Sequence, residues 1–128
     1  MAYTNTYRYR TAPANGGQNQ LPYREIQNPA YATTAVITAL DANSEKIVVD
    51  MQKLTGAITL TADLVNPCSG DEMVIMFAAD GTNRVVTFST GFNTAGTITC
   101  LANKFATITF VFSGAAYAWV EKGRYVQA

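Results

Sequence analysis

The side chains that most often carry catalysis are scarce in this sequence. It contains no histidine, which excludes Ser-His-Asp and Cys-His catalysis and removes the commonest general base. Paired carboxylates are the remaining enzymatic option, but Asp71 and Glu72 are adjacent in the sequence. Adjacent strand residues point to opposite faces of a sheet, so this pair cannot flank one glycosidic bond. The sequence therefore predicts a protein that is not an enzyme and has no catalytic residues.

Metal and cofactor sites are not indicated either. Cys68 and Cys100 are the only cysteines and form no CxxC motif, and without histidine most zinc patterns are excluded. Residues 80–83 (DGTN) resemble the start of a calcium loop, but the distal glutamate of such a loop does not follow. We interpret this segment as a turn and predict no metal and no cofactor. The cysteines are expected to be free thiols, with a disulfide as the alternative.

Tyrosine and arginine side chains are concentrated near the N-terminus, where residues 7–10 read YRYR. Such side chains are enriched in protein interfaces, because they bury a large area and also form hydrogen bonds. They also stack on the bases of single strands, but three arginines against one glutamate up to residue 31 give a net charge of only +2, which is low for phosphate binding. Nucleic-acid binding is thus the weaker alternative, and packing of this segment on its own domain stays open. The candidate partner-binding residues are Tyr3, Tyr7, Arg8, Tyr9, Arg10, Tyr23, Arg24 and Tyr31.

A second aromatic group lies near the C-terminus. Tyr117 and Trp119 follow Phe112 closely, and together they are a candidate ligand platform on which a sugar ring could stack. An apolar last strand that closes the core explains the same residues, since each buried aromatic side chain contributes about 2 kcal/mol. The core interpretation is favoured.

The chain divides into an extended arm (residues 1–32) and a β-domain (residues 33–128). Glycine and proline are frequent before residue 32, and no helix or strand period is sustained there. From Thr33 onward, apolar and β-branched runs alternate with turn signals at about 8–12-residue spacing, which is typical of a sandwich or barrel. We therefore predict an all-β fold: an antiparallel β-sandwich of jelly-roll type with an extended N-terminal arm. No repeat of about 20–50 residues is evident, which disfavours a solenoid.

Eight strands are predicted in this domain. Asp80-Gly81 is the strongest hairpin signal and predicts a hairpin between the fourth and fifth strands. Residues 73–79 (MVIMFAA) and 105–112 (FATITFVF) are apolar on both strand faces, which predicts central strands or a second interface with another subunit. The predicted strands span residues 34–40, 45–51, 56–62, 72–79, 83–90, 96–101, 105–113 and 116–121.

Composition favours a protein that is packed among partners. Hydrophobic residues make up 48% of the chain and charged residues only 14%, and the formal net charge is zero; soluble domains usually carry about 25% charged residues. The sequence shows neither the apolar stretch of a signal peptide nor an apolar run long enough to span a membrane. We expect a protein that is made and assembled in the cytoplasm, without membrane contact.

Two segments resemble a β-domain of tailed-bacteriophage structural proteins: residues 70–99 (GDEMVIMFAADGTNRVVTFSTGFNTAGTIT) and residues 104–125 (KFATITFVFSGAAYAWVEKGRY). The shared features are a Gly-Asp that enters an apolar strand, a DGT turn, a VTF-type strand before a Gly-Phe loop, and a Tyr-x-Trp ending. Residues 33–65 are not matched. The matching positions are Asp71, Asp80, Gly81, Thr82, Phe88, Gly91, Phe92, Phe110, Tyr117 and Trp119.

In that family these positions are turn and core residues, so the resemblance implies an architecture and trimer formation rather than an active site. Such domains occur on head fibres, head decoration proteins and tail or baseplate appendages. The sequence has no shaft repeats of a long tail fibre, which favours the head. The resemblance therefore implies a virion structural protein: a homotrimeric capsid decoration or head-fibre module that docks through its arm on other virion proteins, such as the major capsid protein. The alternatives are a tail or baseplate appendage and a glycan-binding receptor-recognition module.

Overall fold

The computed structural model describes residues 4–8, 23–39 and 44–128, and for residues 4–8 and Tyr23 it describes the backbone alone. The described residues form eleven β-strands and no helix, which confirms the all-β prediction for this part of the chain. None of their segments is a helix that could cross a membrane. The strands are β1 (Thr4–Arg8), β2 (Tyr23–Asn28), β3 (Thr34–Thr38), β4 (Ser44–Asp50), β5 (Ile58–Asp63), β6 (Glu72–Ala78), β7 (Arg84–Phe88), β8 (Phe92–Asn93), β9 (Ile98–Cys100), β10 (Phe105–Ser113) and β11 (Ala118–Val126).

The strands form two sheets with the apolar core between them. The large sheet has seven strands in the order β1-β2-β4-β6-β10-β11-β8, and the small sheet has four in the order β3-β5-β7-β9. Alternate residues of each central strand point into the core, as the strict burial alternation of β5, β6 and β10 shows. β6 and β10 are neighbours in the middle of the large sheet, which confirms that the two segments with apolar residues on both faces are central strands.

From β2 to β7 the chain winds as a short coil. Successive strands alternate between the large and the small sheet, and each stacks in parallel on the strand two places earlier. This winding is that of a β-solenoid. Ile26, Val48 and Val74 occupy equivalent positions in successive turns of the coil and are 22 and 26 residues apart. This unequal spacing hides the repeat in the sequence.

The prediction of an antiparallel, jelly-roll-like sandwich is therefore wrong in its strand directions, and so is the argument against a solenoid. Five of the strand pairings in the described residues are parallel and four are antiparallel. Parallel neighbours need a crossover of about a dozen residues, and here a strand of the opposite sheet makes the crossover in place of a helix. Side-chain alternation predicts which face of a strand is buried, but it does not predict the direction of the next strand.

The turn at Asp80-Gly81 is a corner between the sheets, not the hairpin that was predicted. β6 lies in the large sheet and β7 in the small sheet, so the two strands do not pair. The Asp80 carboxylate accepts hydrogen bonds from the backbone N–H of Thr82 at 3.2 Å and from two guanidinium nitrogens of Arg84 at 2.8 Å. The hydrogen bonds from Arg84 lower the pKa of Asp80 below its ordinary value. The local turn chemistry is as predicted, but it redirects the chain to the other sheet.

After β7 the pairing is antiparallel except for the two-residue β8, which pairs in parallel with β11. β9 pairs with β7 in the small sheet, and β10 pairs with β6 and β11 in the large sheet. Between β7 and β8 the chain passes close to β5 at Gly91, which has a φ of 92°. A Cβ at Gly91 would lie 2.6 Å from the carbonyl oxygen of Ala62, so this approach requires glycine.

All eight predicted strands are present, with ends shifted by a few residues, and the last continues to Val126. Three strands are absent from the prediction: β1, β2 and the two-residue β8. β1 and β2 lie within residues 1–32, the stretch predicted to be an extended arm. The structure places both in the large sheet, where β2 pairs with β4 and β1 pairs with the other edge of β2.

Candidate functional site

The predicted partner-binding residues that the structure describes lie on β1 and β2 at one edge of the large sheet, except Tyr31, which follows β2. Three lie outside the described residues: Tyr3, Tyr9 and Arg10. For three more the structure gives the backbone alone: Tyr7, Arg8 and Tyr23. In β1, Tyr7 pairs with Glu25 and Arg8 with Arg24 of β2. In the large sheet as described, β1 is one edge strand and β8 is the other, and an edge strand is a template for a strand from another chain.

Arg24 and Tyr31, whose side chains are described, have different surroundings. Arg24 is exposed on β2. Tyr31 is half-buried against the core, and its hydroxyl donates a hydrogen bond to the carbonyl of Ala57 at 2.8 Å. A Cβ at Gly56 would overlap this hydroxyl, so the glycine makes room for the ring. Tyr31 therefore fastens the segment after β2 to its own domain.

A buried polar cluster lies on the inner side of β2. Glu25 is fully buried, and Gln27 and Ser44 are nearly so. The Glu25 carboxylate accepts hydrogen bonds from the Ser44 hydroxyl at 3.0 Å and from the side-chain amide of Gln27, which also donates to the carbonyl of Thr38 at 2.7 Å. A buried polar group without a partner costs about 1–3 kcal/mol. These hydrogen bonds offset that cost and tie β2 to β4 and to the end of β3.

The cluster inverts the usual alternation of β2, because its polar residues point inward and Ile26 points outward. Ile26 thereby joins the outer face of the large sheet, which we define by the outward residues of β2, β4 and β6. These residues form three rows across the parallel strands. The first row is Arg24, Lys46 and Glu72; the middle row is Ile26, Val48 and Val74; the third row is Asn28, Asp50 and Met76.

Apolar surface continues from the outer face onto β10 and β11. Phe105 and Tyr125 are 47% and 55% exposed, and their rings pack together with centroids 5.9 Å apart. Val111 and Val120 are paired across the two strands and are half-buried. The large sheet thus carries apolar side chains on the side away from the core, as expected of a second interface.

The outer side of the small sheet differs in chemistry. Its outward residues are mostly threonines on neighbouring strands, with two exposed valines, Val36 and Val85, among them. Threonine suits a solvated sheet face, because its methyl group and its hydroxyl tolerate both packing and water. The threonines are Thr34, Thr38, Thr59, Thr61, Thr87 and Thr99.

The candidate ligand platform is divided between the core and the surface. Trp119 is 1% exposed and packs edge-on against Phe112, with ring centroids 5.4 Å apart. Tyr117 is 64% exposed in the turn before β11 and has a φ of 49°. The structure therefore does not present the two rings as one open stacking surface. Trp119 occupies the core position that the favoured interpretation of the sequence gave it.

A charged clamp holds the loop before β9 against β11. Arg124 donates hydrogen bonds to both carboxylate oxygens of Glu121, at 2.6 and 2.8 Å, and to the carbonyls of Gly96 and Thr97. Glu121 also accepts a hydrogen bond from the backbone N–H of Ala95 at 2.8 Å. The hydrogen bonds from Arg124 lower the pKa of Glu121, with a further contribution from Ala95, while partial burial raises it. The same pairing raises the pKa of Arg124.

We predict that acid weakens this clamp. Because the folded-state pKa of Glu121 lies below its unfolded value, its contribution to stability is present above the unfolded pKa and is lost as the pH falls through the folded pKa. Glu121→Gln should lower the free energy of unfolding by about 1–2 kcal/mol at neutral pH, and it should make this free energy fall less in acid. Urea unfolding between pH 7 and pH 3 measures both effects, with Glu45→Gln at an exposed position near the start of β4 as the control. An acid dependence identical to that of the wild type would contradict the prediction.

The cysteines and carboxylates of the described residues do not assemble into a metal site. Both cysteines are free thiols; Cys68 is exposed and Cys100 is buried. Burial raises the pKa of Cys100, so its thiol stays protonated at neutral pH. No group of three or more cysteine, aspartate or glutamate side chains in the described part of the chain is placed to hold a metal ion.

Comparisons with known proteins leave the interpretation to the chain itself. No protein-family model matches the sequence, and no curated protein matches it. The proposed function therefore rests on three features of the structure. They are the edge strand β1, the outer face of the large sheet and the buried polar cluster on the inner side of β2.

Proposed function

We propose that this chain is a non-enzymatic virion structural protein: a homotrimeric capsid decoration or head-fibre module that docks on other virion proteins through its N-terminal arm. The observation that carries the proposal is the apolar outer face of the large sheet, which lies on the opposite side of that sheet from the core. A domain with apolar residues on both faces of its central strands is suited to assembly with further chains. Low charge over the whole sequence fits the same role.

The arm supplies a separate docking element. β1 is one of the two edge strands of the large sheet as described, and the YRYR segment begins within it. A partner strand that added to this edge would gain main-chain hydrogen bonds, while tyrosine and arginine side chains would supply the specific contacts. The proposed partners are the major capsid protein or an appendage protein, and the proposed location is the virion after assembly in the host cytoplasm. Nucleic-acid and membrane contacts are not part of the proposal.

Two alternatives place the same module elsewhere. A tail or baseplate appendage would use the same outer face and arm, and immunogold labelling of particles separates head from tail. A glycan-binding module would depend on Tyr117, the exposed member of the candidate platform. Binding to immobilised glycans that Tyr117→Ala abolishes would favour that alternative over the structural role.

The arm proposal is tested by substitutions that preserve the strands. Tyr7→Ala combined with Tyr9→Ala and Arg10→Ala removes docking side chains but leaves the buried cluster of β2 in place. We expect this variant to keep the wild-type unfolding temperature and to lose at least tenfold in affinity for particles that lack the protein. Val36→Ala, an exposed change on the small sheet, is the matched control. Wild-type affinity in the triple variant would contradict docking through the arm.

A further inference from the structure

The middle row of the outer face has the composition of a buried interface, and we call this row the apolar seam. Ile26, Val48 and Val74 lie side by side on three parallel strands, at the centre of the outward positions of each strand. Charged and polar residues flank them on both sides, and Met76 is the one apolar member of the two flanking rows. A solvated sheet face normally places polar residues at such central outward positions. An aliphatic centre with a charged rim is instead the arrangement of a protein interface.

The length of the strands sets the assembly that could bury this row. β2, β4 and β6 have six or seven residues, which corresponds to ~20–23 Å at about 3.3 Å per residue. The large sheets of three copies could form the three walls of a triangular prism, with the strand length as the width of each wall. Each wall would then lie about 6–7 Å from the central axis. Packed sheets are separated by ~10 Å, so a sheet lies about 5 Å from the middle of the layer it shares. Branched side chains at the centre of each wall can therefore fill the prism.

The charges of the flanking rows match the same arrangement. In a three-fold prism the strands of the three copies follow one another head to tail, so the start of a strand meets the end of the same strand in the next copy. On β4 the start carries Lys46 and the end carries Asp50, and both are exposed. The corner therefore joins opposite charges. On β6, Glu72 is neutralised within its own chain by Lys122 at 3.3 Å.

We propose that three copies of this chain pack the outer faces of their large sheets around a three-fold axis, with Ile26, Val48 and Val74 of each copy at the axis and Lys46 of each copy beside Asp50 of the next. The partner of this surface is thus a second and third copy of the same chain. This inference rests on the homotrimer of the proposed function and adds the surface that forms it. The small sheet remains on the outside, and β1 keeps an unpaired edge at one end of the described large sheet, so both are available to other virion proteins.

Val48→Lys tests the apolar seam. In the proposed trimer this change brings three ammonium groups together at the axis, whereas in a single chain it places a lysine on a half-buried outward position of a strand that already carries Lys46. We expect at least a hundredfold loss in the trimer association constant, measured by sedimentation velocity over a concentration series of the full-length protein. Thr61→Lys, at an outward half-buried position of β5 in the small sheet, is the matched control and should remain trimeric. Circular dichroism checks that both variants are folded.

A charge exchange tests the contact between Lys46 of one copy and Asp50 of the next. It places no charge in the row formed by Ile26, Val48 and Val74. Lys46→Asp and Asp50→Lys should each weaken the trimer by about tenfold, and the double variant should regain most of that loss. If the wild type is trimeric, two results would overturn this interface and leave the proposed function standing. One is a Val48→Lys variant that remains trimeric. The other is a double variant whose trimer is weaker than those of both single variants. A monomeric wild type would overturn the proposed homotrimer and this interface together.

Discussion

A chain that lacks residues 1–31 is expected not to fold. Those residues include β2, which pairs with β4 along five positions and contributes Glu25 and Gln27 to the buried cluster. Their removal uncovers the edge of β4 and leaves Ser44 and the Thr38 carbonyl without these two partners. The expected loss is comparable to the whole free energy of unfolding of a small domain, about 5–15 kcal/mol. Thermal unfolding followed by circular dichroism should show no cooperative transition for this truncated chain.

A shorter truncation separates the contribution of β2 from that of β1. Removal of residues 1–8 deletes β1 and uncovers β2, but it leaves the buried cluster and the β2–β4 pairing intact. This variant should unfold cooperatively, at a temperature a few degrees below that of the full-length chain. If the chain without residues 1–31 unfolds with the same cooperativity as the full-length protein, β2 is not part of the folding unit and the predicted boundary at residue 32 is the correct one.

Trp119→Ala should lower the free energy of unfolding by about 3–5 kcal/mol. The ring is fully enclosed and packs against Phe112, and the backbone N–H of Trp119 donates a hydrogen bond to the carbonyl of Gly91 at 2.8 Å. Loss of the indole would leave a large cavity between β10, β11 and the Gly91 turn. Urea unfolding of the full-length chain measures the change.

Tyr117→Ala is the matched control for this substitution. Tyr117 is two residues away, is exposed, and touches Phe112 with only one edge, so its truncation should cost less than about 1 kcal/mol. If Trp119→Ala left stability unchanged but abolished binding of a glycan, the core assignment would be wrong and the ligand platform would regain support.

Sequence patterns predicted the elements with regular alternation and missed those that depart from it. The eight predicted strands bury alternate aliphatic residues, such as Ile58 and Leu60 on β5, and a period of two is visible in the sequence. β2 reverses this rule, because Glu25 and Gln27 are the inward residues and Ile26 is the outward one. Polar residues at inward positions are tolerated only where partners satisfy them. Those partners, Ser44 and the Thr38 carbonyl, are distant in the sequence.

The directions of the strands could not be predicted from the sequence for a different reason. The corner at Asp80 has the turn chemistry of a hairpin. Hydrogen bonds from Arg84 to Asp80 nevertheless stabilise it as a connection from the large sheet to the small one. The outer face depends on the parallel register of β2, β4 and β6, since only this register places Ile26, Val48 and Val74 in one row. The apolar second face of the central strands was predictable from their composition, but the row was not.

The proposal that this chain is a structural component of virus particles is tested most directly by the protein content of those particles. Particles produced by the genome that encodes the chain would be purified by density gradient, and the chain would be quantified against the major capsid protein by mass spectrometry. We expect a fixed copy number per particle that is a multiple of three. Purified particles that are complete and infectious but do not contain the chain would contradict it.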